Sequence, residues 1–216
     1  MTTGIADYAG YFLQGAAITI WISWLALLLS AVVGTIFAAA GLSSLWPLRV
    51  LATAYVETFR SIPILVLLFF CYFGLSLVFS INLSPFVAAT IALTLELSSM
   101  MAVIVRAGIQ SVSRGQWEAG LATGMRRWQV WRYIIMPQAI RVILPPSVGV
   151  YIAALKDSSL ASIIGYVELT KTGLLVREST GRNFQVLVVV AALYFVINYS
   201  ISLVGAALEK RFQIVH

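Results

Sequence analysis

Charged side chains leave three long gaps along this chain, and the gaps predict its architecture. No Asp, Glu, Lys, Arg or His stands between Asp7 and Arg49, between Arg60 and Glu96, or between Arg182 and Glu209. A helix needs about 20 apolar residues to cross the hydrocarbon core of a bilayer, and each gap supplies at least one such stretch. The pattern predicts an all-α, polytopic membrane protein with about five spans and a single domain over residues 1–216. The spans are placed at about 16–41, at 62–79 after a short helical lead-in, at 85–105, from after Pro137 to about 155, and at 184–208. The fourth is interrupted by Arg141 and by the pair Pro145 and Pro146, which predicts a kink.

Composition agrees with this pattern. Of the 216 residues 61% are hydrophobic and only 10% charged, against roughly 25% charged in a soluble domain. Lys and Arg set the orientation. Arg49, Arg60, Arg106, Arg114, Arg126, Arg127, Arg132, Arg141, Lys210 and Arg211 fall on one side of the predicted spans. Lys156, Lys171, Arg177 and Arg182 fall on the other, offset by Asp7, Asp157, Glu168 and Glu178. The positive-inside rule places the first group in the cytoplasm, the N-terminus outside and the C-terminus inside. The net charge of +6 reflects this topology rather than nucleic-acid binding, because the basic residues sit at span boundaries. Cys71 is alone and pairs with no second cysteine, and the single histidine, His216, makes a histidine-built metal site untenable. Residues 1–7 have no positive region of a signal peptide, so the first apolar run reads as a retained span.

The longest polar stretch, residues 106–141, reads as two short cytoplasmic helices. Ser113 with Gln116 has capping-box spacing, Trp117, Glu118, Leu121 and Ala122 continue the turn, and Gly124 fits a helix stop. A second helix is expected over 126–135, carrying Trp128, Trp131 and Arg132, with Pro137 opening the next span. On physical grounds alone such an Arg- and Trp-rich hairpin fits anionic membrane lipid and a protein partner equally.

Within it, Glu118-Ala119-Gly120, three residues, Gly124, nine residues and then Ile134-Ile135-Met136-Pro137 closely resemble the EAA loop of ABC importer permeases. Gly120 stands where that pattern has Ala, which should loosen the helix by about 1 kcal/mol, and Met136 stands where it has Leu. The similarity extends over nearly the whole chain. Gly15 and Thr19, Glu57-Thr58-Phe59-Arg60-Ser61-Ile62-Pro63, the aromatic run 69–74, Arg106-Ala107-Gly108-Ile109-Gln110, Leu155-Lys156-Asp157-Ser158-Ser159-Leu160 and Leu208-Glu209-Lys210-Arg211 all contribute. They resemble the type I permeases of importers for histidine, glutamate, glutamine, arginine and related polar amino acids. One departure is Val103, at a position where the family usually has Glu.

The resemblance implies a multi-pass subunit of the bacterial inner membrane with no catalytic residues, metal or cofactor of its own. Its partners would be two cytoplasmic ABC ATPase subunits binding ATP and Mg, a second permease of the same or a similar chain, and an extracytoplasmic amino-acid-binding protein. No nucleic acid is implied. No G-x-x-x-x-G-K-(S/T) phosphate loop occurs in the sequence, so the ATPase would be another chain. Coupling to it would fall to Glu118, Ala119, Gly120, Gly124, Arg126, Arg127 and Pro137.

The candidates for the substrate path are Glu96, Ser99, Met100, Lys156, Asp157, Ser158 and Ser159. A charge inside a span costs roughly 2.5–3.5 kcal/mol and should face a cavity or a partner. Glu96 therefore fits either a contact for a substrate ammonium or a hydrogen bond across a dimer interface, with Ser99 and Met100 on its helical face. The run from Lys156 to Ser159 offers a cation, an anion and two hydroxyls, which fits a zwitterion or gate as well as a rim salt bridge and cap. Glu57 and Arg60, three apart, read as an ion pair within the subunit. A channel or secondary transporter would show an inverted repeat or paired broken helices, and no repeat is visible. A purely assembly subunit would not need charges at membrane depth.

Overall fold

The computed structural model describes residues 5–212. His216 and the first four residues of the N-terminal segment lie outside them. A short 3-10 turn, Ile5–Tyr8, leads into α1 (Ala9–Gly41). After α2 (Trp46–Ser61) come α3 (Ile64–Phe69), a π-turn at Phe70–Gly74 and α4 (Leu75–Phe79). Next are α5 (Pro85–Gln110), α6 (Arg114–Ala122) and α7 (Arg127–Val130). A second π-turn, Trp131–Ile135, joins α7 to α8 (Met136–Asp157), and a 3-10 stretch, Ser158–Ile164, follows. The chain ends with α9 (Leu169–Thr180) and α10 (Asn183–Phe212). Among the described residues four helices are long and apolar enough to cross a membrane, and the count is five if the bent pair Trp46–Ser61 and Ile64–Phe79 is one span.

Three boundaries differ from those expected. The first span begins at Ala9 and the third runs on to Gln110. The lead-in to the second span is a full 16-residue helix, and it meets the following helices at 100°. Pro63 forces the break: the residue before a proline is pushed out of the helical region, and Ile62 is extended at φ −89 and ψ 126.

The fourth span departs most. The segment expected as a separate helix over 126–135 is continuous with the span, giving one helix from Arg127 to Ile164 of 38 residues. The π-turn explains why Pro137 does not start a new element. There the Met136 N–H donates to the Trp131 carbonyl, five residues back, and this wider turn accommodates a residue without an N–H. The chain also stays helical through Pro145 and Pro146.

The core lies where α1, α3, α5 and α8 meet. Ile22 and Ala26 of α1 pack with Leu67, Leu68, Ala88, Ala92, Leu93, Leu97 and Ala154. Small residues let the backbones approach, since lipid supplies no hydrophobic drive between spans. Gly34 marks the closest point of α1 and α5: a Cβ there would lie 2.8 Å from the Ser98 carbonyl oxygen. Ser23 links α1 to α8 by donating to the Ala154 carbonyl at 3.2 Å. Tyr55 anchors α2, stacking on Phe37 and sharing a 2.7 Å hydrogen bond with Ser98. By contrast α10 buries only Val186 and Val190 and presents Phe184, Phe195 and Leu203 outward.

The orientation has a direct test. Because Cys71 is buried, the native chain gives little background with an impermeant thiol reagent. A cysteine introduced beside Arg177 is expected to label from outside intact cells and one beside Arg127 is not. Labelling at Arg127 would reverse the topology.

Candidate functional site: a cytoplasmic hairpin, a groove and a buried carboxylate

Helix α6 ends in a full Schellman motif. The Met125 N–H donates to the Gly120 carbonyl at 3.3 Å and the Gly124 N–H to the Leu121 carbonyl at 3.0 Å. Gly124 takes φ +83, a left-handed conformation that a side chain disfavours. The expected capping box at the other end does not form. Ser113 occupies the N-cap but its side chain makes no cap hydrogen bond: the Gln116 N–H donates to the Ser113 carbonyl at 3.1 Å instead, and the Gln116 side chain accepts from Gln138 at 3.4 Å. Gln129 instead caps the next turn, accepting from the Arg126 N–H at 2.8 Å.

The hairpin folds tightly on itself. Gly120 is buried, and a Cβ there would sit 2.9 Å from both Ile134 and Val130. The glycine therefore lets α6 seat on the α7 turn, and its cost in helix propensity is set against that contact. Glu118, Ala119, Arg126, Arg127 and Pro137 face outward.

Within the span region the structure divides the predicted residues between two faces. Glu96 and Asp157 come together: Asp157 on α8 lies within electrostatic reach of Glu96 on α5. One Glu96 carboxylate oxygen, Oε2, is buried without a hydrogen-bond partner. Lys156 and Ser159 turn the other way, into a groove of about 870 Å³ between α8 and α10 that Thr170, Tyr194, Asn198 and Ser202 also line. The hydroxyls are engaged locally. Ser99 donates to the Glu96 carbonyl, Ser158 to that of Leu155 and Ser159 to that of Lys156, at 2.6, 2.9 and 2.6 Å. Ser99 and Ser158 are fully buried, while Met100 is 40% exposed. The expected Glu57–Arg60 ion pair is absent. Three-residue spacing puts both on one side of α2, yet the side chains line a shared cavity without meeting. Val103 lines that same cavity.

One buried group escaped the sequence reading. Glu168, counted there as an outer-loop charge, is fully buried at the N-cap of α9. Its carboxylate accepts from the Thr170 and Lys171 N–H groups at 2.9 and 2.8 Å and from the Tyr194 hydroxyl at 2.8 Å. Thr19 donates to it at 3.4 Å while itself accepting from the Leu169 N–H at 3.1 Å. Burial pushes the Glu168 pKa above the usual carboxylate range, and these four donors pull it back down. The carboxylate thus ties α1, α9 and α10 at one point. Thr19 is one of four Ser and Thr residues in the predicted first span, so nothing in the sequence singled this contact out.

Comparison with known proteins identifies the family and the fold. Residues 30–214 match the family described as binding-protein-dependent transport system inner membrane component. The glutamine transport system permease protein GlnP of Escherichia coli (strain K12) is 34% identical over 204 residues, 94% of this chain and 93% of the relative. The probable glutamine ABC transporter permease protein GlnM of Bacillus subtilis (strain 168) is 37% identical over 207 residues, covering 96% and 95%. The glutamate/aspartate import permease protein GltK of Escherichia coli O157:H7 is 35% identical over 208 residues, covering 93% of each chain. A chain in the crystal structure of an amino acid ABC transporter with histidines superposes with a TM-score of 0.89 at 35% identity, covering 98% of this chain and 100% of that one. The MetNI methionine ABC transporter, at 20% identity and a TM-score of 0.81, shares the fold. The chain belongs to the family of binding-protein-dependent transport system inner membrane components.

Proposed function

We propose that this chain, with a second copy or a similar permease, forms the path of an ABC importer for polar amino acids. Two cytoplasmic ATPase subunits, which bind ATP and Mg, drive it, and an extracytoplasmic binding protein delivers the solute. Relatives named for glutamine and for glutamate and aspartate support that substrate class. The outward-facing Glu118 and Ala119 on the capped helix α6 support docking of this helix on the ATPase, with Gly120, Gly124, Arg126, Arg127 and Pro137 shaping the hairpin around it. The lack of a phosphate-loop motif in the sequence supports an ATPase on another chain.

The observation that carries the path is the Glu96–Asp157 pair between α5 and α8. A carboxylate within a span, with an unpartnered buried oxygen, and a second within its electrostatic reach toward the outer end suit the ammonium or cationic side chain of a passing amino acid. Glu96→Gln keeps the shape and removes the charge. Loss of a charge-assisted hydrogen bond, about 1.5–3 kcal/mol, corresponds to roughly a tenfold to hundredfold drop in transport. The reconstituted complex is therefore expected to lose uptake, or to change the charge of its preferred substrate, with Glu96→Gln and with Asp157→Asn. Uptake of neutral, cationic and anionic amino acids measures this. Wild-type uptake of all three by Glu96→Gln would return Glu96 to a structural role.

A further inference from the structure

The cytoplasmic half of the groove between α5 and α8 ends on a cation. Glu96, Met100 and Val103 follow one another along one face of α5, at helical spacing. Below the carboxylates, a cavity of about 330 Å³ opens between Met100 and Val103 on α5 and Pro146, Gly149 and Ala153 on α8. Its one charged lining residue is Arg60, from the end of α2 just before the break at Pro63. Arg60 also lines a smaller cavity of about 140 Å³ together with Val103 and with Glu57, which it does not meet. Among the described residues no carboxylate lies within the 4.0 Å of an ion pair with it.

Arg60 is exposed, and no anion lines the larger cavity, so its guanidinium is open to a ligand there. Its planar fork matches a carboxylate bidentately, and the larger cavity lies in the size range of small-molecule sites. We propose that Arg60 receives the side-chain carboxylate of an acidic solute in the cytoplasmic half of the path. This rests on reading the α5–α8 groove as that path. Seven residues of helix separate Glu96 from Val103, roughly 10 Å. The ammonium station and the carboxylate station are therefore successive, and a solute passes from one to the other on its way inward. Substrates carrying a second carboxylate depend on Arg60 most.

The test uses the complete reconstituted importer and uptake of glutamate, glutamine and arginine, with binding-protein-stimulated ATP hydrolysis reporting assembly. Arg60→Gln is expected to lower glutamate uptake about tenfold to hundredfold, the range of one charge-assisted hydrogen bond, and arginine uptake far less. Arg60→Lys should restore most of it. Gly149→Glu, which places an anion in the cavity that Arg60 lines at a position with nothing within 4 Å of the new Cβ, should reproduce the Arg60→Gln ranking. An equal loss for all three amino acids would assign Arg60 to holding the fold and overturn the proposal. Wild-type uptake by Arg60→Gln with impaired Glu96→Gln would overturn Arg60 while leaving the groove standing; wild-type uptake by both would remove the groove reading as well. If Arg60→Gln does not assemble, Gly149→Glu decides alone, and undiminished glutamate uptake overturns the proposal.

Discussion

Glu168→Ala is expected to destabilise the purified complex more than any other single change considered for the outer half of the molecule. It strips the acceptor from two backbone N–H groups and from the Tyr194 hydroxyl. Hydrogen bonds to a charged group contribute about 1.5–3 kcal/mol each, and relief from burying the charge offsets part of the loss. The net cost is roughly 2–5 kcal/mol, a fall in Tm of roughly 5–15 °C for a chain of this length. Tyr194→Phe removes one of the bonds and should cost less. Thermal unfolding of the detergent-solubilised complex reads both. An unchanged Tm for Glu168→Ala would mean that the three helices are held together without this carboxylate.

The second large effect is expected at the inner end. Gly124→Val puts a β-branched residue at φ +83, and a left-handed conformation costs a side chain about 1–2 kcal/mol. Nothing lies within 4 Å of the position where the new Cβ would be, so the penalty is conformational rather than steric. A cost of this size shifts the population of correctly terminated α6 by about 5- to 30-fold. Transport should fall by a similar factor, and ATP hydrolysis should no longer respond to the binding protein. Gly124→Asn, which tolerates this conformation, should stay near wild type. Glu118→Trp, which leaves the helix intact but blocks its outer face, should uncouple in the same way. Normal coupled transport by both Gly124→Val and Glu118→Trp would remove the hairpin from the ATPase interface.

The legible part of this molecule was the part written in local pattern. Charge-free runs located the spans because a bilayer demands contiguous apolar length. The hairpin was legible because a helix stop and an Arg- and Trp-rich loop are local features, and Gly124 took the expected conformation. Pro137 misled for a physical reason: proline at the start of an apolar run reads as a helix start, and only a π-turn shows that the helix began earlier. Half of the missing Ser113 capping box was out of reach of local pattern, since the Gln116 side chain pairs with Gln138, 22 residues on. Glu168 was hidden for two reasons. Glutamate is not a favoured N-cap residue, and its burial depends on Thr19, 149 residues away in the chain. The meeting of Glu96 with Asp157, and their separation from Lys156 and Ser159, depend on the rotation of α8 against α5 and α10. No spacing along the chain encodes that rotation.

The uninterrupted helix from Arg127 to Ile164 has a consequence for timing. At 1.5 Å per residue its 38 residues extend roughly 57 Å, more than the full thickness of a bilayer with its headgroups. One end carries the turn on which α6 is seated, and the other carries Lys156, Asp157, Ser158 and Ser159. The helix stays continuous through the π-turn and the proline pair, the places where it could bend. A movement imposed at the cytoplasmic end is therefore expected to reach the outer residues through one element, which would couple inner opening to outer closing to the extent that those places stay stiff.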